Sequence, residues 1–345
     1  MIMKKRPLLL ITLGTLLLFF LVVAGYLYNT CGTALCDDTK SEVLYIDKDD
    51  NIDSVYHKLN TTSAKGNIGK FKKVAHWVEY GDAVKVGRYE IGKGTSVWTV
   101  VRNLRNGIQT PVMLPITEVW TLEHLAAKLS KRLMADSAEL IQTFTDTAMC
   151  SKYGVKPETM VCLFIPNTYE IYWNITPEKL LERMHEEFQR YWNDERLAKA
   201  KAKGLTPYEV MTVASIVYKE TMKAEENPTV AGLYLNRLEK GMKLQACPTV
   251  KFALKDFGLR RILNRHLQVD NPYNTYKYAG LPPGPICIPS LNSIEAVLNA
   301  VEHDYLYMCA KEDFSGTHNF ASTGAEHEAN ARKYQKALNE RGIKK

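Results

Sequence analysis

Among the acidic residues of the chain, Glu220 stands in the setting best suited to chemistry. It closes an apolar run in the segment 206–221, TPYEVMTVASIVYKET. Val210, Val213 and Val217 recur at three- and four-residue steps, so on a helix they form one stripe. Glu220 is the next position on that stripe, with Ile216 one turn back. A carboxylate in mostly apolar surroundings loses solvation when it ionises, so its pKa rises. Such a group holds a proton near neutral pH and can donate it, as the general acid of a glycosidase does. The plainer alternative is a helix-end carboxylate paired with a Lys or Arg, since structural ion pairs also perturb pKa values.

The helix that must carry Glu220 is well punctuated. Thr206 suits the N-cap, Pro207 the first helical position and Glu209 the carboxylate of a capping box. A second Thr-Pro start, Thr176-Pro177, predicts a helix with Leu180, Leu181, Met184 and Phe188 on one face. That helix is expected to run on into 195–203, where the charges of 196–203 read as a solvated face. Pro228 opens a third, carrying Val230, Leu233, Tyr234 and Leu238, and Gly241 closes it. Residues 137–149 predict another helix, and Pro166 with Asn167 a turn.

Upstream, a strand, a turn or cap and a short amphipathic helix recur three times. The first unit has 43–46 extended, then Ile52, Val55 and Leu59. The second has 88–91 extended, Gly92 and Gly94 in the turn, then Val97, Val100, Val101 and Leu104, with Gly107 as C-cap. The third, VMLPITEVWTLEHLAAKL (112–129), carries Leu122, Leu125 and Leu129. Units this small cannot bury a core alone and are expected to pack together.

A chain of 345 residues has room for about two or three domains. Of the net charge of +7, Lys4, Lys5 and Arg6 supply three, and no acidic residue precedes Asp37. The rest is mildly basic with mixed signs. With no basic stripe and no nucleic-acid motif there is no case for nucleic acid, whereas an anionic polymer fits equally well. Residues 8–28, LLLITLGTLLLFFLVVAGYLY, are uncharged and long enough for a bilayer core of about 30 Å. The preceding cations place the N-terminus in the cytoplasm, and Tyr26 and Tyr28 suit the outer interface. A cleaved signal peptide is the rival, but the run exceeds an h-region of about 7–15 residues. The reading is a single-pass anchor in the cytoplasmic membrane, with everything from about Asp37 outside the cytoplasm and no core element before it. An exported chain permits disulfides, Cys31–Cys36 or Cys150–Cys162 among its seven cysteines. No CxxC occurs, and His318 and His327 are too far apart for a helical zinc motif, so neither metal nor cofactor is expected.

The C-terminal half carries ASIVYKET (214–221), NRLEKGMKLQACPTV (236–250), YNTYKYAGLPPGPI (273–286), DYLYMCA (304–310) and THNFASTGAEH (317–327). On these motifs the chain resembles the YceG-like family of endolytic murein transglycosylases, and the first two upstream units resemble a LysM-like module, with a plain spacer domain as the alternative. The resemblance implies an α+β chain: an N-terminal transmembrane anchor (1–36), a small LysM-like α+β module (37–112) and a larger α+β catalytic domain (113–345). It implies cleavage of peptidoglycan glycan strands between N-acetylmuramic acid and N-acetylglucosamine, leaving 1,6-anhydro ends and terminating glycan elongation. Peptidoglycan synthases are the implied protein partners.

The family's acid is the second Glu of an E-K-E-T run. Here the first is Tyr218, which leaves Glu220. Protonated, it would serve the glycosidic oxygen as an oxocarbenium-like centre develops at C1. Ionised, it would take the proton of the sugar's own C6 hydroxyl, whose tethered attack removes the need for water. Gln245, Asn274 and Thr275 are candidates to hydrogen-bond sugar, Tyr273 and Tyr276 to face sugar rings, and Pro282 and Pro283 to form a rigid wall. Asn167, Ser215, Lys219, Thr221, Thr249, His318, Glu326 and His327 are candidates for the supporting shell. For the prolines the alternative is shaping a loop, for the tyrosines a place in the core, and for His318, Glu326 and His327 bonding a turn. Asn167 and Cys247 stand where the family usually has Asp. Two other functions compete: a peptidoglycan-binding membrane protein without catalysis, and a lysozyme-like hydrolase using a second carboxylate such as Glu225 or Glu226.

Overall fold

The computed structural model describes residues 5–36, 41–259 and 261–342. Lys4 and Asp37, which enter the reading of the anchor and its boundary, lie outside them. Helix α1 (Lys5–Leu27) has 23 residues, a length of about 34 Å at helical rise. It runs into a π-helical turn, Tyr28–Gly32. The stretch Leu9–Gly32 is long and apolar enough to cross a membrane, and its apolar window is wholly unburied.

Contacts divide the described chain into two units: residues up to Met113 with Glu170–Ile175, and Leu114–Tyr169 with Thr176 onward. In the first, β1 (Glu42–Ile46), α2 (Ile52–Asn60), α3 (Ile68–Trp77), β2 (Gly87–Ile91) and α4 (Val97–Asn106) follow in order. β1 and β2 pair antiparallel, Leu44 opposite Tyr89. Leu44, Ile46, Tyr89 and Ile91 turn one face of the pair into a core completed by Val55, Leu59, Phe71, Val74, Val100 and Leu104. Gly107, at φ +69°, ends α4 in the left-handed conformation that costs an L side chain most.

Leu35 and Cys36 are 0% and 2% exposed in this same core. The Leu35 N–H donates to Thr95 O at 2.9 Å and the Val97 N–H to Thr33 O at 2.9 Å. The expectation that no core element precedes Asp37 is therefore overturned: the segment after α1 is stitched to the start of α4.

The larger unit takes most of strands β3 (Val112–Ile116) and β4 (Asn167–Ile171), which form a two-stranded sheet. Between them come α5 (Leu122–Leu129), α6 (Ser137–Thr145) and α7 (Thr147–Lys152). Then follow α8 (Pro177–Tyr191), α9 (Asp194–Ala202), α10 (Pro207–Glu220), α11 (Asn227–Glu239), α12 (Cys247–Leu254) and α13 (Leu291–Leu298). The antiparallel pair β5 (Tyr307–Ala310) and β6 (His318–Ala321) and the long α14 (Gly324–Glu340) complete the α+β chain. α10 lies at the centre of this unit, with every residue from Val210 to Val217 buried and α11, α12 and α13 packed on it.

Several expectations need correction. The third strand–helix repeat does not join the first two, because the stripe Leu125–Leu129 of α5 packs on α6 in the larger unit. The helix expected over 137–149 breaks at Asp146, whose carboxylate caps the next helix by accepting the Met149 N–H at 2.9 Å. The Thr-Pro helix α8 stops at Tyr191, and Asn193 caps a separate α9 by accepting the Arg196 N–H at 3.0 Å. Arg196 does not simply face solvent: its Nε donates to Glu295 at 2.7 Å. Pro166 bends the chain, but Asn167 already opens β4. Cys31, Cys150 and Cys162 are free thiols, so neither expected disulfide forms.

Candidate active site

The sequence builds α10 from its cap inward. Thr206 Oγ1 accepts the Glu209 N–H at 3.3 Å, and the Glu209 carboxylate accepts the Thr206 N–H at 2.8 Å. Fourteen residues later the helix ends at Glu220, with Thr221 extended. Midway, the fully buried Ser215 accepts the Ile286 N–H at 3.0 Å and so fastens the PPGPI loop to α10. Within that loop a Cβ on Gly284 would stand 2.2 Å from the Glu158 carbonyl oxygen, a contact only glycine avoids.

Glu220 is partly exposed as a residue, yet burial of its carboxyl raises its pKa above the ordinary value. Four groups oppose that rise without cancelling it. Tyr234 Oη donates to Glu220 Oε1 at 3.0 Å. His318, the backbone N–H of Cys247 and Lys251 also favour the ionised form. The Cys247 N–H belongs to the first turn of α12, where N–H groups lack helical partners and point outward. Burial thus favours the protonated carboxyl, while donors stand ready for its anion, which is the balance an acid–base group requires.

Cys247 brings a thiol to the same helix start. Its Sγ lies 3.1 Å from Tyr276 Oη, and burial pushes the pKa values of both groups up. Both are neutral partners of Glu220. An Asp at this position would add a like charge and push the Glu220 pKa higher still.

Arg237 fixes the segment leading into α12. It is 6% exposed, and its guanidinium donates to Lys243 O, Leu244 O and Gln245 Oε1 at 3.0 Å each and to Leu306 O at 2.6 Å. Gln245 itself sits at φ +53°, a left-handed conformation uncommon for a side-chain-bearing residue. Gln245 is exposed, but its carbonyl oxygen is engaged by Arg237 and its N–H donates to Thr275 O at 3.1 Å.

The other candidates scatter. Asn274 and Thr275 are 0% and 1% exposed. The Asn274 amide donates to Leu267 O and Val269 O, and Thr275 Oγ1 meets Thr249 Oγ1 at 2.8 Å and the Ala246 N–H at 3.0 Å. These three residues shape the loop from within, and a sugar would have no open face of theirs to meet. Tyr273 lines a pocket of about 430 Å³ with Trp120, Phe252 and Pro285. Lys219 lies over the Trp120 ring at 4.0 Å and pairs with Glu118, which also accepts from Tyr218 Oη at 2.8 Å. Pro282 is buried and Pro283 exposed. Asn167 turns back on its own strand, accepting the Thr168 N–H at 2.8 Å. Glu326 bonds a turn, accepting the Ser322 and Thr323 N–H groups at 3.0 and 3.3 Å as part of the cap of α14. His327 stacks on Tyr307 at 5.3 Å.

Two residues matter more than their sequence setting shows. Tyr234 reads as one more apolar stripe position, and no local signal marks its hydroxyl. Glu226 accepts from the His318 N–H at 2.8 Å and Thr221 Oγ1 at 3.2 Å, and lies 2.9 Å from His318 Nδ1. This joins α10, α11 and β6 beside Glu220, whereas the sequence suggested Glu226 only as the second carboxylate of a hydrolase.

The YceG-like family pattern matches residues 44–333. Endolytic murein transglycosylase of Streptococcus pneumoniae serotype 2 is 29% identical over 309 residues, covering 79% of this chain and 55% of that protein. The chain thus spans about half the length of the pneumococcal relatives it matches. Endolytic murein transglycosylase of Bacillus subtilis is 28% identical over 299 residues, covering 80% of this chain and 81% of the relative. The crystal structure of a yceG-like protein from Listeria monocytogenes superposes with a TM-score of 0.56 at 26% identity, covering 84% of this chain and 99% of that one. A match over so much of the chain, residues 44–333, means that the chain belongs to the YceG-like family.

Proposed function

We propose that the protein is a membrane-anchored endolytic lytic transglycosylase of peptidoglycan, with Glu220 as its single acid–base group. The observation that carries this reading is the Glu220 carboxyl: desolvated, so that its protonated form is favoured, and faced by Tyr234 Oη and the first N–H of α12. Glu220 protonates the glycosidic oxygen between N-acetylmuramic acid and N-acetylglucosamine. Its anion, supported by the same donors, then takes the proton of the C6 hydroxyl as that oxygen closes on C1. The product is a 1,6-anhydro end. A hydrolase would need a second base for water, and Glu226, one of the two candidates for that role, already has both oxygens engaged by His318 and Thr221. Half-buried Tyr273 and Tyr276 offer ring faces to the sugars, and Pro283 an exposed wall.

Mass spectrometry of glycan digested by the purified protein distinguishes the readings. Anhydro ends support the proposal; reducing ends indicate hydrolysis, and intact glycan indicates binding alone. α1 serves as the anchor with the N-terminus cytoplasmic, the small unit as the LysM-like module, and peptidoglycan synthases as partners. A reporter active only outside the cytoplasm, fused after Lys345, is expected to be active; an inactive one overturns the topology.

Tyr234→Phe removes a donor to the Glu220 anion, so the acid pKa rises. The alkaline limb of the pH–rate profile, where Glu220 loses its proton, is expected to move to higher pH. Because the anion loses support in the second step, the maximal rate is expected to fall about tenfold. An unshifted limb would detach Tyr234 from the chemistry.

A further inference from the structure

We propose that the outward face of α3 rests on anionic lipid headgroups, so that the small unit is held against the membrane by charge as well as by α1. This rests on the reading of α1 as a membrane span. The starting point is where α3 lies. Trp77 packs its ring on Tyr26 at 6.3 Å, and Lys73 lies over the same ring at 6.0 Å. Lys70 Nζ bonds Asn29 Oδ1 at 3.1 Å and Thr33 Oγ1 at 2.9 Å, clamping α3 to the turn that ends α1. Tyr26 falls within the apolar stretch Leu9–Gly32. A side chain touching it must sit at the boundary between hydrocarbon and headgroups.

The composition of α3 fits that depth. Trp77 is 46% exposed, and an amphipathic ring beside Tyr26 is what the interface favours. Lys65, Lys72 and Lys73 are exposed, and no acidic residue occurs between Asp53 and Glu79. Phe71, Val74 and Ala75 point the other way, into the core. Lys72 also lies over the Tyr56 ring at 4.8 Å, yet remains exposed. Basic side chains next to a membrane span draw anionic lipid, with an attraction that falls off within a Debye length.

The test uses the full chain in nanodiscs of phosphatidylcholine, with and without phosphatidylglycerol, containing a lipid spin-labelled near the headgroup. The chain has five tryptophans, so the signal of Trp77 is the difference between wild type and Trp77→Phe. Quenching of that component is expected to be at least about threefold greater in the anionic discs, and to fall to the phosphatidylcholine level in high salt. The triple variant Lys65→Glu, Lys72→Glu, Lys73→Glu should lose the difference. Equal quenching in both lipids overturns the proposal: if high, the tether alone sets the position, and if low, the face is free of lipid. Loss of binding to insoluble peptidoglycan by the triple variant, with equal quenching, overturns it too and gives the lysines to the glycan. A chain that does not incorporate into discs removes the span itself, which is a separate failure.

Discussion

Glu220→Gln is expected to lower glycan cleavage by at least about a hundredfold while leaving the protein folded. The substitution keeps size and one hydrogen-bond acceptor, so Tyr234 still has a partner. What it removes is the proton that must leave and return. The stability effect has a definite sign. Burial raises the folded-state pKa of Glu220 above its unfolded value. Its contribution to stability is therefore fully present below the unfolded pKa of about 4.3 and is lost as pH rises through the folded pKa. Glutamine carries no such dependence. The variant should equal or exceed wild type in melting temperature above that window, and the two should converge toward acid. A structural ion-pair member would behave the other way, with Gln destabilising and the folded fraction still active. Melting temperature and anhydro-product yield on one sample decide the matter.

The second large effect concerns Arg237. Arg237→Ala strips the donors from three carbonyl oxygens and from Gln245 Oε1 at a site only 6% exposed. Buried acceptors left unpaired, together with the cavity, should cost on the order of 3 kcal/mol in urea unfolding. Arg237→Lys should recover only part of this, because one ammonium cannot reproduce a planar fork aimed at separate oxygens. Activity should suffer as well, since residues 243–245 lead directly into the α12 N–H that faces Glu220. If the lysine variant matches wild type in both stability and rate, the guanidinium fork is not what holds this segment.

What the sequence makes legible is mostly local. The caps at Thr176 and Thr206 and the end at Gly107 need only neighbouring residues, and all three sit in those positions. Glu220 was readable because a carboxylate on a valine stripe is anomalous within one helix. α3 was not read, since its stripe of Phe71, Val74 and Ala75 is masked by four lysines in nine residues, 65–73. The stop after Tyr191 has no glycine or proline to announce it. Asp146 could have been read as a cap but stood inside a helical pattern. The site's remaining parts depend on distant pairings. Asn274 and Thr275 have the functional groups of sugar ligands, but partners 25 or more positions away in the case of Thr275 consume them. Tyr234 meets Glu220 only because α10 and α11 pack together.

Glu170–Ile175 belongs to the smaller unit although it lies deep in the sequence of the larger. There Trp173 packs edge-on to Tyr45 at 5.0 Å, and Asn174 donates to Val86 O at 2.9 Å. The chain therefore passes between the units three times, and no single cut separates them. A fragment starting after Met113 would carry a tryptophan-bearing loop bereft of its seat and prone to stick to other copies. Recombination at one crossover would hand a recipient half of each partnership. In genetic terms the two units are interleaved text, to be copied or lost together.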